Sequence, residues 1–165
     1  MGLFDKLFGK KEEINPNCIY APMAGEAVEI TGVPDPTFST GMLGNGIAIK
    51  PTDGKVYSPV NGTVDTMFET GHAVSLVSDN GIEILIHVGL ETVSLNGAPF
   101  QVKCKNGQKV KKGDLLFVAD LDAIAAAGLP TITPVLVCNS DDYATFNTTT
   151  GKTVAQGEAV IELAK

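Results

Sequence analysis

From Cys18 onward the chain is a series of short apolar runs broken by turn residues: "CIYAP", "EAVEI", "GIAIKP", "KVYSPV", "GTVDTMF", "HAVSLVS", "IEILIHV", "DLLFVAD", "PVLVCN" and "EAVIEL". The runs are rich in Val and Ile and are separated by Gly, Pro, Asn or Asp, the pattern of short strands joined by tight turns. Eighteen Gly and nine Pro in 165 residues leave little room for long helices. Only "LDAIAAAGL" reads as a clear short helix, with "DDYATFN" a second helical candidate. The expected fold class is all-β, with one or two short helical turns.

Two pairs of echoes add to this. "APMAGEAV", from Ala21, and "SPVNGTV", from Ser58, both place Pro three residues before Gly: Pro22 and Gly25, then Pro59 and Gly62. "GQKVKKGD", from Gly107, and "GKTVAQGE", from Gly151, share the form G-x-x-V-x-x-G-acid. Gly opens turn conformations closed to other residues, and the central Val supplies a core plug. The echoes point to a fold built from duplicated β-motifs.

Length suits one domain with a sizeable core. Residues 1–17 read as a flexible or amphipathic tail and residues 18–165 as a single domain. The formal charge is −7. No basic stretch is broad enough to track a phosphate backbone, which argues against nucleic-acid binding. Cys18, Cys104 and Cys138 are odd in number and widely spaced, so they are expected to be buried free thiols in a reducing cytoplasm. The apolar runs fall far short of a membrane span. In "MGLFDKLFGKK" the i, i+4 pairs Leu3 with Leu7 and Phe4 with Phe8 join Lys6, Lys10 and Lys11. This suits a helix making weak contact with an anionic membrane surface, and suits equally a frayed tail.

Both histidines of the chain fall within "FETGHAVSLVSDNGIEILIHVGL", residues 68–90. "NG" is a strong hairpin signal. A two-residue turn at Asn80 and Gly81 pairs Val74 with His87 and puts His72 diagonally beside it, with Cβ atoms about 7–8 Å apart. A three-residue "DNG" turn shifts the register by one, and strict alternation then sends the histidines to opposite faces. Two facing imidazoles have two uses. One can accept a phosphoryl group while the other supports its oxygens. Alternatively both bind a metal such as zinc, which wants three or four ligands, so a partner would have to complete the site. Thr70 is placed to donate a hydroxyl, and Phe68, Val74, Leu85, Ile86 and Val88 give the surroundings an apolar character. There is no GxxxxGK[ST] loop, so a phosphoryl group would arrive from another protein.

At this point the residues resemble a known family. "ETGHA" and "LIHVG", with "MGLFDKL", "APMAGEAVEITGVPDPTF", "GNGIAIKPTDGKVYSPVNGTV", "GQKVKKGDLL" and "TPVLVCN", are similar to the glucose-type IIA component of the bacterial phosphoenolpyruvate-dependent sugar phosphotransferase system. The resemblance implies an antiparallel β-sandwich with internal duplication. It implies a cytoplasmic phosphoryl carrier, peripheral to the inner membrane face if its tail binds lipid. The carrier takes its phosphoryl group from phospho-HPr and passes it to the IIB domain of a glucose-type permease. By motif, His87 is the acceptor through Nε2, His72 supports the group, and Thr70 bonds within that network. The ring nitrogens not used in transfer are expected to be held by Thr70 or by backbone carbonyls. Phe38, Met42, Leu43 and Phe68 are expected to be partly exposed near His87 and, with Val74 and Val88, to form a docking surface for partners, which in some members include regulatory target proteins. Glu91 stands where the family pattern suggests aspartate, and Pro36 and Thr37 stand where it suggests apolar residues.

Two other classes compete with the carrier. One is a zinc-dependent interaction module using His72 and His87. The other is a swinging-arm carrier, suggested by "GQKVKKGD" but lacking a Lys at a hairpin tip in the required context. A carrier of the first kind requires no cofactor.

Overall fold

The computed structural model describes residues 14–165. The amphipathic reading of Leu3 to Lys11 therefore lies outside the described residues. The strands are β1 (Cys18–Tyr20), β2 (Gly25–Glu29), β3 (Asn45–Pro51), β4 (Lys55–Tyr57), β5 (Gly62–Met67), β6 (Ala73–Ser78), β7 (Glu83–His87), β8 (Phe100–Val102), β9 (Lys109–Val110), β10 (Leu115–Ala119), β11 (Thr133–Val137), β12 (Thr145–Thr148), β13 (Lys152–Val154) and β14 (Ala159–Ala164). Two short helices, α1 (Pro36–Ser39) and α2 (Leu121–Ala126), and three single 3₁₀ turns complete the elements. Each of the ten apolar runs contains a strand. The second helical candidate is corrected: "DDYATFN" continues a 3₁₀ turn at Ser140–Asp142 into β12. Phe146 packs on the core there, and Asn147 pairs with Glu162 of β14, so tertiary pairing overrides the local helical pattern.

The strands form an antiparallel β-sandwich. An eight-stranded sheet runs β13-β2-β3-β11-β7-β6-β5-β9, and two three-stranded sheets run β1-β14-β12 and β4-β10-β8. All three contribute to one core. Ile19 and Ile161 come from the first small sheet, Val56 and Phe117 from the second, and Ile47, Ile49, Ile84 and Ile86 from the large one. Burying each such side chain contributes about 1.5–3 kcal/mol. Cys18 and Cys104 are buried free thiols, whereas Cys138, just past the end of β11, is exposed, which corrects its expected burial.

The large sheet is apolar on both faces. Alternate residues Val28, Ala48, Leu85 and Leu136 face away from the main core into a second cluster with Ile30, Val33, Phe38, Leu90 and Ile132. The segment between β2 and β3 covers that outer face. Its helix begins where Asp35 accepts the Thr37 N–H at 3.0 Å, with Pro36 at the first helical position. Pro suits that position because its missing N–H is not needed there. Pro36 and Thr37, unexpected as docking residues, are thus explained as a helix start.

The sequence echoes have matching structures. Tyr57 N donates to Pro22 O at 2.8 Å, and Tyr20 N donates to Pro59 O at 3.1 Å, a reciprocal exchange between the two Pro-containing motifs. Each also binds one of the G-x-x-V-x-x-G turns: Gly113 N to Ser58 O and Gly157 N to Ala21 O, both 2.9 Å. Gly62 pairs with Val110, and Gly25 with Val154. Gly113 and Gly157 share φ 91°, and Asp114 and Glu158 each accept a backbone N–H from three residues earlier. The repeated residues build the same unit twice.

Candidate active site

The histidine hairpin adopts the three-residue turn. Ser78 N donates to Ile82 O at 2.9 Å, and Ala73, not Val74, pairs with His87. The two-residue register expected from "NG" is therefore corrected, and so is its consequence. Although the register is the one that alternation would use to separate the histidines, their ring centroids lie 4.9 Å apart at 81°. Alternation aims side chains only within a regular pleat. β6 begins only at Ala73, and Gly71 before it is left-handed at φ 69°, so His72 is set by the turn leading into the strand rather than by its pleat. Val88 N still donates to His72 O at 2.8 Å, which keeps the two segments together past the last ladder pair.

His87 ends β7 and is partly exposed. Its Nδ1 lies 2.8 Å from Gly89 O. A carbonyl can only accept, so Nδ1 carries the proton and Nε2 presents a lone pair. His72 is buried, and its Nδ1 lies 2.6 Å from Thr70 Oγ1. When the Thr70 hydroxyl donates to that nitrogen, His72 Nε2 bears a proton and becomes a donor. Burial pushes the His72 pKa down to about 4, with the neighbouring His87 adding to the effect. Burial also lowers the His87 pKa, opposed by the Gly89 bond and by the nearby Asp35 and Glu91 carboxylates. With both pKa values lowered, both imidazoles are mainly neutral at pH 7.

Aromatic rings wall the pair. Phe38 packs on His87 with centroids 4.9 Å apart, and Phe68 meets His72 edge-on at 5.5 Å. The expected docking residues divide. Met42 is 74% exposed, and Leu43 and Phe68 are 38% exposed. Val74 and Val88 are fully buried in the main core, which corrects their placement on a docking surface: the shifted register turns Val74, opposite Ile86, toward the core. Phe38 is buried too, as part of the second core, and reaches the site as a wall behind His87. Sequence reasoning missed Gly89 and Asp35. Glycine two residues after the histidine in "LIHVG" was the available signal for the first; nothing in the sequence marked the second. Among the described residues no group of three or more His, Cys, Asp and Glu side chains could hold a metal. Zinc at His72 and His87 would have only two ligands from these residues.

The family model for the phosphoenolpyruvate-dependent sugar phosphotransferase system, EIIA 1, matches residues 17–143. The chain belongs to this EIIA family. It is 42% identical over 160 residues to a glucose-specific EIIA component of Staphylococcus epidermidis, covering 96% of both chains. It is 43% identical over 159 residues to that of Bacillus anthracis, again covering 96% of each. The glucose permease IIA of Mycoplasma capricolum superposes with a TM-score of 0.82 at 34% identity, over 87% of this chain and 93% of that one. As an EIIA protein, the chain is a component of a sugar phosphotransferase system. No helix among the described residues is long and apolar enough to cross a membrane.

Proposed function

We propose that this EIIA protein is a phosphoryl carrier that accepts its group from phospho-HPr on Nε2 of His87 and delivers it to the IIB domain of a glucose-type permease. One observation carries the reading: His87 is partly exposed, neutral, and held through Nδ1 by Gly89 O, so its Nε2 lone pair is free. In acceptance, that lone pair forms the N–P bond while the bond from phosphorus to the donor atom on HPr breaks, and its electron pair stays with the donor. Delivery to IIB reverses these roles. His72, beneath the acceptor and backed by Thr70, donates Nε2–H to a phosphoryl oxygen. The apolar walls of Phe38 and Phe68 limit water at the phosphorus and slow hydrolysis. Met42, Leu43 and Phe68 offer apolar contact to the partners.

The test is incubation with phosphoenolpyruvate, the first phosphotransferase enzyme and HPr, followed by phosphate mapping. An acid-labile, base-stable phosphoryl group on His87 is expected. Stable phosphate on another residue would overturn the assignment.

A further inference from the structure

The proposed reaction uses one tautomer of His87, and that tautomer depends on where Gly89 O points. Gly89 is left-handed at φ 76°, the most adaptable of backbone residues, so something must hold it. The residue between ring and carbonyl, Val88, is pinned at both ends. Its N–H donates to His72 O at 2.8 Å. Its carbonyl accepts the hydroxyl of Thr92 at 2.6 Å. Thr92 is completely buried, and it is the sole buried polar side chain between Val88 and Leu95; the other side-chain bond there, from Ser94 Oγ to Glu91 O, is exposed. Its methyl group abuts Gly89 so closely that a Cβ there would lie 2.6 Å from Thr92 Cγ2 and 2.8 Å from Pro130 O. Leu90 N donates to the same Pro130 carbonyl at 3.2 Å, bracing the loop against the approach to β11.

We infer that Thr92 is a positioning residue that holds His87 in the Nδ1–H tautomer, acting through Val88 and Gly89. The inference rests on the reading of His87 as acceptor. The hydroxyl fixes the Val88 carbonyl and, through it, the Gly89 peptide, while the methyl only packs beside that glycine. With both set, Gly89 O is available to the ring nitrogen and nowhere else. Thr92 never touches the phosphoryl group. Its effect is on which nitrogen is free to attack.

Three variants of the full chain separate hydroxyl from methyl. Thr92→Val keeps the shape and removes the hydroxyl, Thr92→Ala removes the hydroxyl and relieves the packing should valine fail to fold, and Thr92→Ser keeps the hydroxyl. Long-range ¹H–¹⁵N correlation of the His87 ring reads the tautomer without any phosphoryl donor. The valine and alanine variants should show mixed tautomers and accept the group about tenfold more slowly, as loss of an orienting partner does at other sites. The serine variant should keep the Nδ1–H form and stay within about twofold of the unsubstituted rate. A pure Nδ1–H tautomer in folded Thr92→Val or Thr92→Ala, or a mixed one in Thr92→Ser, would overturn the inference. Phosphate mapping on the unsubstituted chain judges the acceptor assignment separately, since the tautomer measurement stands without transfer.

Discussion

His72 and His87 meet at 4.9 Å although neither faces the other across the ladder: Ala73 pairs with His87, and Val88 N binds His72 O. The contact is made where the sheet ends. One ring is partly exposed and the other buried beside it, the asymmetry on which the proposed roles of acceptor and support rest.

The first prediction concerns that division of labour. His87→Ala should abolish stable phosphorylation. His72→Gln should still accept from HPr, since the nucleophile remains, but onward transfer to IIB should slow by about 100-fold through lost positioning and charge stabilisation. Single-turnover transfer from each purified phosphoprotein measures this. Delivery at an undiminished rate by His72→Gln would remove His72 from the mechanism.

The two histidines also set a pH dependence. His72 has a folded pKa of about 4, below its ordinary 6.5. Between those values the unfolded chain binds the extra proton, so stability falls as pH drops through that window. His87 acts in the same direction. Urea denaturation at neutral pH and near pH 4.5 should show a loss that His72→Gln reduces by on the order of 2 kcal/mol. An acid limb unchanged by the substitution would mean that His72 is not held neutral by burial.

Gly71 is the hinge that delivers His72. Its φ is 69°, and an added Cβ would lie 2.7 Å from Phe100 Cβ. Gly71→Ala should cost about 2 kcal/mol of stability from left-handed strain and the clash. It should also weaken the proton cross-relaxation between the two imidazoles. Full stability with the ring contact intact would show that the left-handed turn is not what places His72.

The apolar rim separates docking from packing. Met42→Ala should leave stability within about 0.5 kcal/mol while slowing transfer at limiting HPr. Phe38→Ala should lose about 3 kcal/mol, because Phe38 belongs to the second core. A stable Phe38→Ala protein with slowed docking alone would reverse these assignments.

Much of this was legible in the chain itself. Runs such as "IEILIHV" and "PVLVCN" announced β7 and β11 because β-branched residues and turn residues act locally. The paired Gly motifs announced a duplicated unit, since the same left-handed turn, φ 91° at Gly113 and Gly157, favours glycine in both copies. The short strands β8, β9, β12 and β13 carried too few residues to show a period, and α1 had no helical stripe to read. The resemblance of "ETGHA" and "LIHVG" to the EIIA family drew attention to Thr70, His72 and His87, which the folded chain brings together.

By itself the sequence determined the kinds of residue available: short strands, turns that only glycine closes, and two imidazoles near a hydroxyl and apolar side chains. The tertiary structure decided what each one faces. A register shifted by one residue buried Val74 against Ile86, and the second apolar face of the large sheet drew Phe38 inward. Both are packing outcomes between segments distant in sequence, where the free energy depends on shared burial that no local pattern encodes. The contact of His87 Nδ1 with Gly89 O is of the same kind, since it depends on where a left-handed glycine turns its carbonyl beside Val88 and Thr92.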